Sequence, residues 1–132
     1  MTSAWAGERV RLRAVEPEDW EAFHAPVGMI NTHSVDRVHG TFAYGVSIGT
    51  PHHRKGYAGE AVVLLIRYMF FERRFQKAEA WVYGSNEASL ALHRRLGFVE
   101  EGRRRRSHFH NGRYDDEVLF GMTVEEFTER HA

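Results

Sequence analysis

The stretch SIGTPHHRKGYAGEAVVLLI, residues 47–66, changes character twice, and its reading decides the fold. The apolar residues before it end in a break at Pro51, His52, His53, Arg54 and Lys55. After the break Ala61, Val62, Leu65, Ile66, Met69 and Phe70 recur at steps of three and four, which predicts an amphipathic helix over residues 57–74. A strand, a tight turn and a helix in that order leave unpaired N–H groups at the helix start, where aligned peptide dipoles add partial positive charge. An anion is stabilised at such a point. Gly56, Ala58 and Gly59 would let a ligand approach the backbone closely, and Arg54 and Lys55 would add charge for phosphates. The spacing is not that of a P-loop, because no glycine stands five residues before a Gly-Lys pair, nor that of a dinucleotide fingerprint, because GYAGEA lacks G-x-G-x-x-G. A helix start eased by glycines, with no ligand, is the competing reading.

Outward from this elbow, strand and helix signals alternate. Upstream, RVRLRAV places Val10, Leu12 and Ala14 on one side and arginines on the other, the period of a half-buried strand, and Pro17 opens a short helix that Pro26 closes. Residues 27–34 and 41–48 read as two strands joined by the polar turn DRVHG. Downstream, residues 78–83 read as a strand, and SNEASLALHRRLGF as a helix with Asn86 or Ser85 as its N-cap and Gly97 past its end. A strand over residues 98–109 turns at Asn111-Gly112 into a partner over residues 113–122. Thr123 and Glu126 form a capping box for a terminal helix. The order β, α, β, β, α, β, α, β, β predicts an α/β fold, a mixed sheet flanked by helices. Ligands in such sheets bind where a strand's carboxyl end meets a helix start, here the elbow and the junction at residues 83–86.

Composition bounds the function. A chain of 132 residues with 42% hydrophobic residues suits one domain, residues 1–132, around one core. Lysine plus arginine and aspartate plus glutamate both number 18, so no overall basic field draws the chain to nucleic acid or an anionic membrane. The absence of cysteine excludes disulfides, thiolate metal sites and a cysteine nucleophile. No apolar run is long enough to span a bilayer, and a cytoplasmic location is expected.

HRKGYAGEAV, NEASLALHRRLGFVEEGRRRR and NGRYDDEVLFGMT, in this order, resemble the GNAT N-acetyltransferases, most of all the branch that contains the ribosomal-protein N-acetyltransferases and their small-amine relatives. The resemblance implies a GNAT-like mixed central sheet and acetyl-CoA as cosubstrate. The family's pyrophosphate loop, R/Q-x-x-G-x-G/A, falls on His53, Arg54, Lys55, Gly56, Tyr57 and Ala58, followed by Gly59, with histidine where the family prefers arginine or glutamine. The pantetheine arm of such enzymes fills a gap between splayed parallel strands, which implicates Val46, Ser47 and Ile48 with Val82 and Tyr83 opposite. Asn86 would bond the same arm.

The implied reaction is direct attack of a primary amine, either a protein N-terminus or a small amine, on the thioester, with no metal and no covalent intermediate. His93 stands where many relatives carry a tyrosine that protonates the departing thiolate, and an imidazole of ordinary pKa could do so. Ser89 is its rival, and a half-exposed structural histidine is the alternative. The glutamate that relatives use as base is absent from GTFAYGVSI; a water relay through Tyr44 or a histidine is the substitute, although no residue stands out.

Roughly 40 residues of the family's usual scaffold, judged from typical length, are missing between the first helix and residues 28–35. They normally wall the acceptor site. This N-terminal deletion leaves three expectations: an open acceptor site, a homodimer whose second subunit completes it, or an acyl-CoA-binding module with little turnover. Arg103, Arg104, Arg105 and Arg106 are read as a solvated strand rather than a nucleic-acid patch, and His108 and His110 as a chance pair rather than a metal site. Asp115, Asp116 and Glu117 are read as a surface strand whose alternation separates them, and Phe109 and Tyr114 as packing residues.

Overall fold

In the computed structural model, residues 6–9, 11–12, 28–48 and 56–131 are described. Of the expected first strand only Arg9, Arg11 and Leu12 are described, Arg11 in an isolated antiparallel bridge with Ala6; the expected first helix and loop residues 49–55 lie outside the described residues. β1 (Gly28–Asp36) and β2 (Thr41–Ile48) form an antiparallel hairpin, and α1 (Tyr57–Phe71) crosses to β3 (Lys77–Tyr83). Then follow α2 (Glu87–Leu96), β4 (Val99–His110), β5 (Arg113–Thr123) and α3 (Val124–His131). The sheet order is β1-β2-β3-β5-β4, antiparallel except for the parallel pair β2–β3. It is the mixed α/β architecture that the sequence predicts.

Alternation along each strand makes the sheet two-faced. Ala78, Ala80 and Val82 of β3 are buried with Phe42 and Tyr44 of β2 and Val118, Phe120 and Met122 of β5. This face meets α1 through Val62, Leu65, Ile66, Met69 and Phe70, and α3 through Phe127. Phe42 meets Phe70 and Phe75 edge-on, and Phe70 meets Phe127 the same way. Each such buried ring is worth about 1.5–3 kcal/mol of transfer free energy. The opposite face carries Trp81, Tyr83 and His33; Trp81 is 36% exposed and Tyr83 43%. We call it the open face.

α1 is shorter than its apolar period predicts: it ends at Phe71 rather than Arg74. Arg74 takes φ 64°, and the N–H of Phe75 donates to the Met69 carbonyl at 3.0 Å, which swings Phe75 back into the core. The helix stops because a distant contact, Phe75 on Phe42, needs the chain to reverse. Local chemistry sets the other ends. Asn111 and Gly112, at φ 51° and 75°, turn β4 into β5. Gly97, at φ 101°, closes α2 with its N–H on the Arg94 carbonyl and that of Phe98 on the His93 carbonyl.

The arginine run departs from simple alternation, because the β4–β5 register shifts between Arg104 and His108 and Arg106 takes φ 54°. Arg103 bonds Asp116, Arg104 bonds Glu117, and Arg106 stacks over Tyr114.

Candidate active site

The elbow and the strand edges beside it define one crevice. β2 and β3 pair at Thr41–Lys77, Phe42–Ala78 and Ala43–Glu79, and among the described residues the pairing ends there. Both strands continue. From Tyr44 to Ile48, β2 remains paired with β1, and from Ala80 to Tyr83, β3 remains paired with β5. Each strand follows its other neighbour, so the two part in a V with its apex at Ala43 and Glu79. Their facing backbone edges are not paired with one another beyond the apex, and buried or half-buried peptide groups in that condition need a partner. An extended chain of amides entering as a false strand would supply it. Val46, Ser47 and Ile48 lie along one arm of the V, Val82 and Tyr83 along the other.

α1 is the next element after β2 in the chain, and at its start a Cβ on Gly59 would touch Leu92 of α2. Gly56 is its N-cap residue, with φ 78° and no side chain of its own to cap the first turn. Only glycine takes that φ without strain. The arrangement suits an anion at the helix start. His53, Arg54 and Lys55 lie outside the described residues. Another cation is present that the sequence did not point to: the guanidinium of Arg9 stands 3.0 Å from where a Cβ on Gly56 would lie. Arg9 is held there by Glu60, whose carboxylate accepts its backbone N–H at 2.7 Å and pairs with its Nε at 3.3 Å. No local signal links residues so far apart in the chain. The Cβ side of Gly59 meets α2, where an added Cβ would touch Leu92 at 3.4 Å.

α2 starts across the crevice. Asn86 is its N-cap, accepting the Ser89 N–H at 3.1 Å, which decides between Asn86 and Ser85. Ser85 instead donates its hydroxyl to Asp115, and that bond, with His110 also donating to the same carboxylate, holds Asp115 down to a pKa of about 2.

About two turns beyond Asn86, His93 is 2% exposed, stacked on Phe120 at 5.6 Å and packed against Phe98 and Tyr44. Its Nδ1 lies 2.8 Å from the Ser89 carbonyl, which can only accept, so Nδ1 carries the ring proton. Burial lowers its pKa, against a smaller opposing effect of that bond. A neutral ring whose proton is committed to the helix has none to give at Nε2, so this geometry weighs against the expected general-acid role. Ser89 is half-buried, its Oγ 3.4 Å from the same Nδ1. Tyr44, the first residue beyond the apex, is 4% exposed, and burial raises its pKa, so it keeps its hydrogen and is a poor proton relay.

The sequence also missed Glu79. It forms the last rung opposite Ala43 and, between the inward Ala78 and Ala80, belongs to the open face at the apex. Further along that face Trp81 carries Arg104 at 5.7 Å, and Tyr83 packs on His108 at 4.5 Å and His110 at 5.2 Å. His108 bonds Glu117 at 2.9 Å and His110 bonds Asp115 at 3.2 Å. The pair does share a face, and among the described residues no three such groups converge on a metal position.

A mixed five-stranded sheet parted at its parallel pair is the arrangement of the acetyltransferase class of α/β folds. The profile of the acetyltransferase (GNAT) domain matches residues 24–99, and the chain belongs to the GNAT acetyltransferase family. YokL of Bacillus subtilis strain 168, an uncharacterized N-acetyltransferase derived from the SPβ prophage, is 33% identical over 171 positions, covering 96% of this chain and 97% of YokL. Because this chain has only 132 residues, YokL carries a segment within the aligned range that has no counterpart here. YdaF of the same organism, whose name assigns it only provisionally to the ribosomal N-acetyltransferases, is 32% identical over 76% of this chain and 55% of its own. Among solved structures, a chimera of the spermidine N-acetyltransferase SpeG from Vibrio cholerae superposes with a TM-score of 0.76 at 25% identity, over 79% of this chain and 63% of that one. The chain thus spans little more than half the length of YdaF and under two thirds of the SpeG chimera.

Proposed function

We propose that this protein transfers acetyl from acetyl-CoA to a primary amine, with the parting of β2 and β3 after Ala43–Glu79 as the observation that carries the reading. The CoA pyrophosphate would rest on the N–H groups of Gly56, Tyr57, Ala58 and Gly59, beside His53, Arg54, Lys55 and Arg9. The pantetheine arm would lie against Val46, Ser47 and Ile48, with Asn86 and Ser89 across the crevice. A backbone N–H of β2 facing the thioester would stabilise the oxyanion, an interaction worth about 3–4 kcal/mol per donor.

The amine approaches from the open face and arrives as a cation. Trp81 and Tyr83 offer ring faces and Glu79 a carboxylate, a combination that attracts an ammonium group. Glu79 at the apex takes the proton that frees the amine to attack. The C–N bond forms, the C–S bond breaks, and the thiolate leaves to gain a proton from solvent or from the Ser89 side. The acceptor class is a small cationic primary amine, in keeping with the spermidine enzyme that the fold matches, or a protein N-terminus. The lack of YokL's additional segment favours an alternative reading, an acyl-CoA-binding module with little turnover.

Titrating the protein with acetyl-CoA and measuring thiol release across a panel of polyamines and N-terminal peptides separates the two. Saturable binding with amine-dependent release is expected. Binding without release for any amine establishes the module, and absence of binding removes both readings.

A further inference from the structure

Among the described residues, the Tyr44 hydroxyl and the His93 Nε2 are buried polar atoms with no hydrogen-bond partner. Leaving such an atom unpaired costs about 1–3 kcal/mol, and native interiors seldom tolerate it. Here two of them occur on neighbouring rings, 5.8 Å apart between centroids and tilted by 30°. Their hydrogen-bonding roles are fixed. His93 spends its ring proton on the Ser89 carbonyl, so Nε2 presents a bare lone pair. Tyr44 keeps its hydrogen and presents a donor. One acceptor and one donor therefore adjoin each other at the apex of the V.

The reach of the cosubstrate places its tip there. On the acetyl-CoA reading, with the pyrophosphate at the start of α1 and the arm along β2, the tip approaches Tyr44, since the four residue steps from Ile48 to Tyr44 span ~13 Å of strand. What lies at the tip of CoA is sulfur. A free thiol has one hydrogen to donate and lone pairs to accept, whereas a thioester sulfur has no hydrogen.

We propose that Tyr44 and His93 form a subsite for the CoA thiol, through Tyr44 O–H···S and S–H···Nε2 of His93, so that the protein holds its product CoA more tightly than acetyl-CoA. The proposal rests on the acetyl-CoA reading of the crevice and adds a discrimination which that reading does not require. His93 then acts as a neutral acceptor for the thiol instead of the acid that creates it, and release of CoA becomes a slow step in turnover.

Calorimetric titration of the full chain with CoA, acetyl-CoA and the thiol-free fragment 3′-phospho-ADP tests this in the wild type, Tyr44→Phe and His93→Phe. One hydrogen bond predicts that the wild type prefers CoA over acetyl-CoA about fivefold. The ratio should fall to about one in His93→Phe and decrease in Tyr44→Phe, with binding of the thiol-free fragment unchanged, which also shows that the variants are folded. Because Tyr44→Phe removes only an unpaired buried atom, its unliganded melting temperature should equal or exceed that of the wild type. Equal wild-type affinities for CoA and acetyl-CoA, a preference that survives both substitutions, or a lowered melting temperature in Tyr44→Phe would each overturn the subsite alone. Failure of the wild type to bind either thioester or thiol would overturn the acetyl-CoA reading itself, and the subsite with it.

Discussion

Glu79 and His93 lie on opposite faces of the same sheet, and their surroundings assign them opposite duties. Glu79 belongs to the open face at the apex, and in the proposed reaction its carboxylate would take the proton of the incoming ammonium group. Glu79→Gln keeps the shape and removes the base, so kcat for amine acetylation should fall about a hundredfold or more, while acetyl-CoA affinity stays within twofold by titration. His93 is enclosed by Tyr44, Phe98 and Phe120, and burial lowers its pKa below the ordinary 6.5. As pH falls through that ordinary value the unfolded chain takes up a proton that the folded ring resists. The stability tied to the neutral ring is therefore present above about pH 6.5 and lost below it. Urea midpoints should drop between about pH 7 and 5 in the wild type, and the drop should be smaller in His93→Phe. The sequence identified residue 93 as important but could not tell its protonation state, because that depends on Phe98, Phe120 and the sheet packed against it. Nor could it find Glu79 or Arg9, whose significance comes only from the register with Ala43 and from the approach to Gly56.

The elements that the sequence predicts best are those whose ends are set by their own neighbours. Asn86 caps α2 and Gly97 closes it, and Thr123 and Glu126 cap α3 reciprocally at 2.8 and 3.2 Å. The end of α1 was not legible, since Arg74 turns the chain only so that Phe75 can reach Phe42. The cap of α2 also adjoins the crevice, which makes it a two-part test. Asn86→Ala should cost about 1 kcal/mol of stability, seen as a lower melting temperature. Asn86→Asp keeps an accepting oxygen for the Ser89 N–H and should restore that stability. If Asn86 touches the pantetheine arm only through its amide N–H group, acetyl-CoA affinity should stay reduced in both variants; recovery in the aspartate variant would limit Asn86 to its capping role.

Across the whole molecule, a strand pair and a group of three strands are joined through the sheet, among the described residues, at only the rungs from Thr41–Lys77 to Ala43–Glu79. On one side stands the β1–β2 hairpin; on the other, β3 with β5 and β4. The sequence could announce a parallel crossover, since a strand, a helix and a second strand in succession do so, but the early parting of β2 from β3 arises from each strand's twist toward its other neighbour and has no local signature. That weakness in the free sheet is also where the proposed cosubstrate would bridge the halves with its own amides. At a hundred times its Kd, a ligand bound only by the folded state adds about 2.7 kcal/mol of stability, so acetyl-CoA should raise the melting temperature. Hydrogen exchange locates the gain: without ligand, those backbone amides of residues 44–48 and 80–83 that face the V should exchange much faster than those paired between β3 and β5, and acetyl-CoA should slow them selectively. Protection spread evenly over the sheet would mean that the ligand binds elsewhere and that the V is not its seat.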